Sequence, residues 1–510
     1  MTAMRRSIFI MAGMTACVLL LSVFFQDLGD RTGVLRYQQH REQPSEDELE
    51  PCAVCGGAGE LCTHLPIIRI ETGGQTIPGR PIPKTSKDLA GSVAYDEWFQ
   101  LGEHGEREVI VQFSTKDQKP AWNHTDSPSA NAGEALLRFR GNSSRWFLKG
   151  SYSLKLIENG SPEQRQRQAL LGMTPGSEWI LHGPCLDRTL LRNYLCYTVA
   201  GQVMGYAPNC RFCELVIDGE YQGIYLLVEA VAKGDGRIVL TEPDGNTPVT
   251  SWIVRIDRDY KANVPLNSFG YYTFRLDNAQ ASLLYPGKNT VTPEKIKYVA
   301  ADFSSIERQL YSAEFLQNSD QYAQFLDTRA FAQYYILNEF FGNVDAGRYS
   351  TYYYKDLRGK MTPVVWDFNN ACDNYISYAY ADDGFFVIRM SPFDRLMCSA
   401  DFTEEVIRQY RALRKGCLSD ASIIEIIDGA RDYLGGAIDR NNARWSSLYD
   451  MTQYNTDNFL YPASRNYQNY EESVEQLKTW LLERGQWMDE HIESLRQYCH
   501  PSRFANQMLG

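Results

Sequence analysis

Several signatures that would fix a function outright are missing from this chain. There is no Walker phosphate loop, no H-E-x-x-H helix and no G-x-S-x-G elbow, so P-loop hydrolysis, zincin proteolysis and α/β-hydrolase chemistry have no foothold. Lys and Arg gather into no basic cluster or stripe and the formal net charge is −12, which argues against nucleic acid as a partner. Such a surface instead favours encounter with a basic polypeptide. No internal repeat or low-complexity tract is found, which removes solenoid architectures. What is present is ample core material: 510 residues with 44% hydrophobic and 13% aromatic side chains suit one large unit or two domains.

The N-terminal stretch, residues 1–26, reads as a targeting segment. Arg5 and Arg6 precede an uncharged run at 7–26 that is long enough to cross a bilayer as a helix. No small-x-small cleavage site follows Leu21, so the expectation is a single-pass membrane anchor with the body outside the cytoplasm. Secretion after signal cleavage is the alternative. Residues 27–64 then read as a flexible linker with one compact feature, the cluster Cys52, Cys55 and Cys62. A second C-x-x-C lies at Cys210 and Cys213. Export favours disulfides among these thiols, a structural zinc site is the competing reading, and free thiols are the third.

The stretch from 338 to 374 carries the most chemistry. Phe331, Tyr334, Tyr335, Leu337, Asn338 and Phe341 recur at helical steps, so a helix ends at Gly342 and leaves Asp345 in the loop behind it. Strands at 349–354 and 361–366, joined by a turn at 356–359, return the chain to Asp367. A tight hairpin of this kind sets Asp345 and Asp367 on one cleft although 22 positions separate them. Two such carboxylates suit a divalent cation and a phosphoryl group, one orienting a hydroxyl and the other holding Mg²⁺. The plain alternative for each is a turn or cap residue.

The chain resembles the CotH kinase family, the spore-coat-protein-H type of atypical kinase, from about Leu65 to the C-terminal helices. The likeness rests on R-F-R-G-N-S-S-R-W-F-L-K at 138–149, S-Y-S-L-K at 151–155 and E-W-I-L-H-G-P-C-L-D-R-T-L-L-R-N at 178–193. It continues with E-L-V-I-D-G-E-Y-Q-G-I-Y-L-L-V-E at 214–229, N-V-D at 343–345 and W-D-F at 366–368. The resemblance implies an α+β fold of two kinase-like lobes, ATP and Mg²⁺ as cofactors, and Ser/Thr phosphorylation of a protein substrate, with a basic, Ser-rich substrate suiting the charge. On that reading the anchor and linker precede a β-rich N-lobe at 65–235 and a mostly helical C-lobe at 236–500, with the catalytic hairpin at 342–374 and a tail at 501–510.

The same resemblance assigns roles. Asp345 is the catalytic base, and Asp367 with Asn369 forms the metal site. Lys149 or Lys155, at opposite ends of one expected strand, reaches the α- and β-phosphates. Arg140 is a further phosphate candidate, because Gly141 and the Ser143–Ser144 pair let backbone amides approach an anion. Glu229, at the end of the hairpin 212–228, is placed where the lobes join, pairing a lysine or lining the nucleotide pocket. Asp187 is expected to cap a helix over 187–203 that carries Arg192. Two departures from the family pattern stand out: Ser350 lies where an Asn is usual, and Asn369 where the second motif usually ends in Asp. Each replaces a strong Mg²⁺ ligand or weakens one. They favour the competing reading, a non-catalytic surface binding or adhesion protein that keeps the fold.

Overall fold

The computed structural model describes residues 37–499 apart from 56–60, 83–97, 120, 259–263, 271–278, 313, 317–320 and 456. The expected anchor at 1–26, the strand expected at 272–276 and the tail at 501–510 lie outside the described residues. Among the described residues no helix is long and apolar enough to cross a membrane.

Seven strands dominate the first half: β1 (Ile67–Glu71), β2 (Val109–Lys116), β3 (Asn131–Arg140), β4 (Ser151–Glu158), β5 (Glu178–His182), β6 (Cys210–Ile217) and β7 (Glu220–Glu229). They run in the order β3-β2-β1-β6-β7-β5-β4, and β3 also pairs with β4 from Glu134↔Ile157 to Arg140↔Ser151, which closes the ring. Only β1 and β6 are parallel. The reason for closure is legible in the strands themselves. Alternate residues such as Ile68 and Ile70, Leu137 and Phe139, Leu154 and Leu156, and Trp179 and Leu181 form one buried cluster. A period of two with one apolar face curls the sheet around its own side chains and removes its edges.

This closed seven-stranded barrel overturns the expectation of two kinase-like lobes. The barrel's outer face does not stand apart from the helical half either. Ile180, Phe212, Ile224 and Leu226 join one continuous core with Phe331, Trp366, Tyr410 and Leu495. At the centre of that core is α1 (Arg192–Val203), whose residues from Arg192 to Tyr197 are all buried. Asp187 lies before the helix rather than at its first residue, and its Oδ2 accepts the Arg192 amide at 2.9 Å.

Beyond the barrel, β8 (Trp252–Arg258), β9 (Ala279–Tyr285), β10 (Thr351–Lys355) and β11 (Thr362–Val364) form an antiparallel sheet in the order β9-β8-β10-β11. The helices α2 (Pro293–Leu310) and α3 (Thr328–Phe340) pack on it, α4 (Ala400–Arg414) packs on α3, α5 (Asp420–Leu434) and α7 (Tyr470–His491) pack on each other, and α6 (Ala437–Arg444) packs on barrel strand β7. Thr292, Asp327, Ser399, Ser419 and Asn469 cap α2, α3, α4, α5 and α7 with their side chains. The two thiols of the second C-x-x-C do not act together. Three residues apart on β6, they point to opposite sides, Cys213 into the barrel and Cys210 into the outer core. No disulfide links Cys52, Cys62, Cys210 or Cys213.

Because the barrel is held by its packed lumen, Leu154→Ala, at a side chain with no exposure, should cost about 2–5 kcal/mol. Equilibrium urea unfolding measures this, and a loss well under 1 kcal/mol would mean that the lumen is not the packed core described.

Candidate functional site

Since alternate residues of β3 to β5 fill the lumen, the intervening ones must face outward. Arg138, Arg140, Ser151, Ser153, Lys155 and His182 do so, and they form one wall of a cleft of about 1080 Å³. Arg255 and Asp257 of β8 and Tyr352 of β10 form the opposite wall. Asp345, Ser350, Asp367, Asn369 and Asn370 come from two loops at its end. The hairpin therefore brings Asp345 and Asp367 to a common cleft, with cations on the barrel side.

Each loop is built by a different device. The α3 helix ends through Gly342, which takes φ +58°, a conformation glycine adopts without a Cβ penalty. The Asn343 amide donates to Asn338 O at 2.8 Å, and its side-chain amide donates to Asn338 Oδ1 at 2.9 Å. Asp345 follows, and its carbonyl accepts the Tyr349 amide at 3.0 Å.

Asp367 itself sits at φ +63°, with Cys372 at +51° and Asp373 at +56° close behind. Non-glycine residues held this way store strain of about 1–3 kcal/mol each, and the surroundings must impose it. They do so through α1. Tyr197 OH accepts the Asp367 amide at 3.1 Å, and Asn193 Oδ1 accepts the Phe368 amide at 2.8 Å. Arg192 donates to Ala371 O and Cys372 O at 3.1 Å each and pairs with Asp187 at 2.6 Å. The Asn193 side-chain amide meets His182 Nε2 at 3.0 Å, and burial pushes that imidazole down to about 4, so the ring is neutral and accepts.

The carboxylates are electrically linked. Burial first, and then the negative charge of Asp367, raises Asp345 above the ordinary carboxylate range, while the Asn370 hydrogen bond and Arg258 oppose this. Asn370 Nδ2 donates to Asp345 Oδ2 at 2.9 Å, and Asn369 Nδ2 donates to Asn370 Oδ1 at 3.0 Å. Ser350 Oγ donates to Asp367 Oδ2 at 3.1 Å.

Among the cations, Lys155 and Arg138 share Glu108, at 2.7 and 2.9 Å. Burial alone would raise the Glu108 carboxyl, but Lys155 and Arg138 outweigh it and hold it below its usual value. Arg140 lies over the Trp366 ring at 5.9 Å with its guanidinium toward the cleft. The turn after it needs Gly141, which takes φ +113° and where a Cβ would strike the Ser144 hydroxyl.

Two expected residues lie elsewhere. The strand begins only at Ser151, so Lys149 does not share the face of Lys155. Lys149 is 1% exposed, donates to Asn441 Oδ1 at 2.6 Å and sits 5.3 Å from the Tyr225 ring centroid. Burial pushes its ammonium down to about 7. Glu229 is fully buried, accepts the Asn209 amide at 3.0 Å and lies 3.9 Å from Arg237. Reasoning from sequence missed Glu108, Asn193, Tyr197 and Asp257. Asn193 and Tyr197 are four positions apart and share one face of α1, a spacing that a helix-face count would have exposed.

Hard oxygen donors at one end of a cleft, facing fixed cations along its wall, define a site suited to a divalent cation and to phosphoryl groups. The family model described as CotH kinase protein matches residues 137–488, more than half of the chain, and the chain belongs to that family. A search of curated proteins returned no match. Membership points to an atypical kinase-like function.

The raised Asp345 gives a stability test. The folded chain holds this proton at a pH where the unfolded chain has lost it, so stability falls as pH rises from the ordinary carboxylate value through the raised one, and stays lower above it. Asp345→Asn keeps an oxygen acceptor for Asn370. Its melting temperature should match or exceed that of the wild type at pH 7, and the difference should shrink as the pH drops. A variant several degrees less stable at pH 7 would overturn this account of Asp345.

Proposed function

We propose that this protein transfers the γ-phosphate of ATP to Ser or Thr hydroxyls of a protein substrate in the cleft between the barrel and the small sheet. The observation that carries the reading is the placement of Asp345 and Asp367 at one end of the cleft that Arg140 and Lys155 line. Asp345, raised by burial and by Asp367, is the base that orients the substrate hydroxyl. Its carboxylate takes the proton as the new O–P bond forms and the bond from the γ-phosphorus to the ADP oxygen breaks.

Lys155, kept in place by Glu108, and Arg140 face the phosphates. A lysine fixed by a glutamate is the arrangement that such chemistry uses elsewhere, here built across neighbouring strands of a barrel. Asp367 and Asn369 are the oxygen donors that would hold Mg²⁺, which when bound neutralises phosphate charge. Ser350 fixes the orientation of the Asp367 carboxylate by its 3.1 Å hydrogen bond. Lys149 and Glu229 have no part in this reading. The net charge of −12 favours a basic substrate by steering encounter.

The test is a basic, Ser-rich peptide with γ-labelled ATP and Mg²⁺, alongside thermal shift. The wild type should label the peptide and gain melting temperature with Mg²⁺-ATP, by about 2.7 kcal/mol of added stability at a hundred times Kd. Asp345→Asn should keep the thermal shift but lose labelling by about 10²–10⁴. Lys155→Met should weaken both. Full turnover in Asp345→Asn would remove it from the chemistry. Absence of both label and shift in the wild type would favour the binding or adhesion protein that Ser350 and Asn369 suggest.

A further inference from the structure

We infer that Cys52, Cys55, Cys62 and His124 form a Cys₃His zinc site that staples the N-terminal arm to the barrel, apart from the cleft. All four residues precede the stretch matched by the family model, which begins at residue 137. The four ligand atoms lie within 4.8 Å of one another. Cys55 Sγ is 3.2 Å and Cys52 Sγ is 3.5 Å from His124 Nε2. Four ligands around one zinc, at about 2.3 Å for sulfur and about 2.0 Å for nitrogen, stand roughly 3.5 Å apart along a tetrahedral edge, so these separations fit.

The local structure supplies this convergence without distortion. Cys62–Thr63 and Asn123–His124 form a short antiparallel pair in which Cys62 is directly opposite His124. Facing residues of such a pair project their side chains to the same side. Cys52 and Cys55 form a C-x-x-C knuckle that approaches from the arm, and Trp122 Nε1 holds that arm by donating to Glu50 O at 2.8 Å. Asn123 Nδ2 donates to Leu65 O at 3.1 Å, which fixes the second ligand strand at the start of β1.

The chemistry selects the ion. Three thiolates and one imidazole are soft and borderline donors with no carboxylate among them, and they fill four positions with none open for substrate. The site is therefore structural. The arm it secures packs on the body through hydrogen bonds: Gln39 exchanges them with the Phe212 backbone at 2.7 and 3.1 Å, and His40 Nδ1 meets Tyr194 OH at 2.7 Å. The ion thus ties residues far apart in sequence to the barrel and to α1.

The test uses the full chain, purified without added metal or chelator. Elemental analysis should find about one zinc per chain, and Co²⁺ exchanged into the same protein should show thiolate-to-cobalt charge transfer and the visible bands of a tetrahedral ion. Cys62→Ser and His124→Ala should each bring the zinc content close to zero. Should these variants not fold, the wild type answers alone: a chromogenic chelator should release the zinc together with a fall in melting temperature. Zinc-free wild-type protein, or a disulfide between any two of the three cysteines by mass spectrometry under non-reducing conditions, would overturn the proposal. So would retention of full zinc content in both variants. None of these readouts depends on phosphoryl transfer.

Discussion

The guanidinium of Arg192 is the constraint on which the candidate site depends. It is 4% exposed and is satisfied on every side: by Asp187, by the carbonyls of Ala371 and Cys372, and by Gln476 from α7. A buried charge is tolerated only when its partners are all in place, and removing one partner of such a pair costs about 3–5 kcal/mol. That energy is spent on position. The loop after Asp367 runs through several left-handed residues, a shape the chain would not keep without Arg192, Asn193 and Tyr197 behind it. The residues that place Asp367 thus come from a helix between two barrel strands. Barrel and helical half share one buried core and, through it, the site's foundation.

The location of the cleft follows from the packing of the barrel. A ring of seven strands has a lumen just large enough for side chains, and here Leu137, Leu154, Trp179 and Leu215 occupy it. Polar chemistry is consequently displaced to the outer wall, where each strand presents its other face. On β4 the lumen takes Tyr152, Leu154 and Leu156, and the cleft takes Ser151, Ser153 and Lys155. Lys149 shows the contrast. It stands before the strand, lies over the Tyr225 ring and is held by Asn441 of α6. Burial pushes its ammonium down to about 7, and its partner is the Asn441 amide oxygen, not an anion.

What the sequence discloses and what it hides divide along the same line. Asp345 and Asp367 were readable because their placement depends on local signals: a helix stop at Gly342, a turn at 356–359 and two short apolar strands. The hairpin at Asp218 and Gly219 was readable for the same reason, and both turn residues take positive φ. Barrel closure was not readable. It depends on β3 pairing with both β2 and β4, and an alternating pattern specifies a buried face without naming its neighbours. Glu108 and His124 were hidden likewise. Each gains its role from a partner dozens of positions away, Lys155 in one case and Cys52 in the other. The two lysines were separated by one break: Gly150 ends the loop, the strand starts after it, and a shared face from 149 to 155 does not exist.

The two departures from the family pattern, Ser350 and Asn369, have a common electrostatic sense. Asp345 already feels Asp367 and Asp257, both of which push its proton affinity upward. A further carboxylate at position 369 would add to that repulsion unless an ion were always bound. With Asn369 there, a neutral amide instead donates to Asn370, which donates to Asp345, so the sequence change becomes a relay that supports the charged form. Ser350 acts in the same direction on the other carboxylate. At φ +50° it turns its hydroxyl onto Asp367 Oδ2 at 3.1 Å, supplying a donor to the carboxylate. The acidic pair is in this way ordered by hydrogen bonds from the protein itself. An acidic pair ordered in this way depends less on any bound cation for its folding than three or four bare carboxylates would, because neutral donors already offset its repulsion.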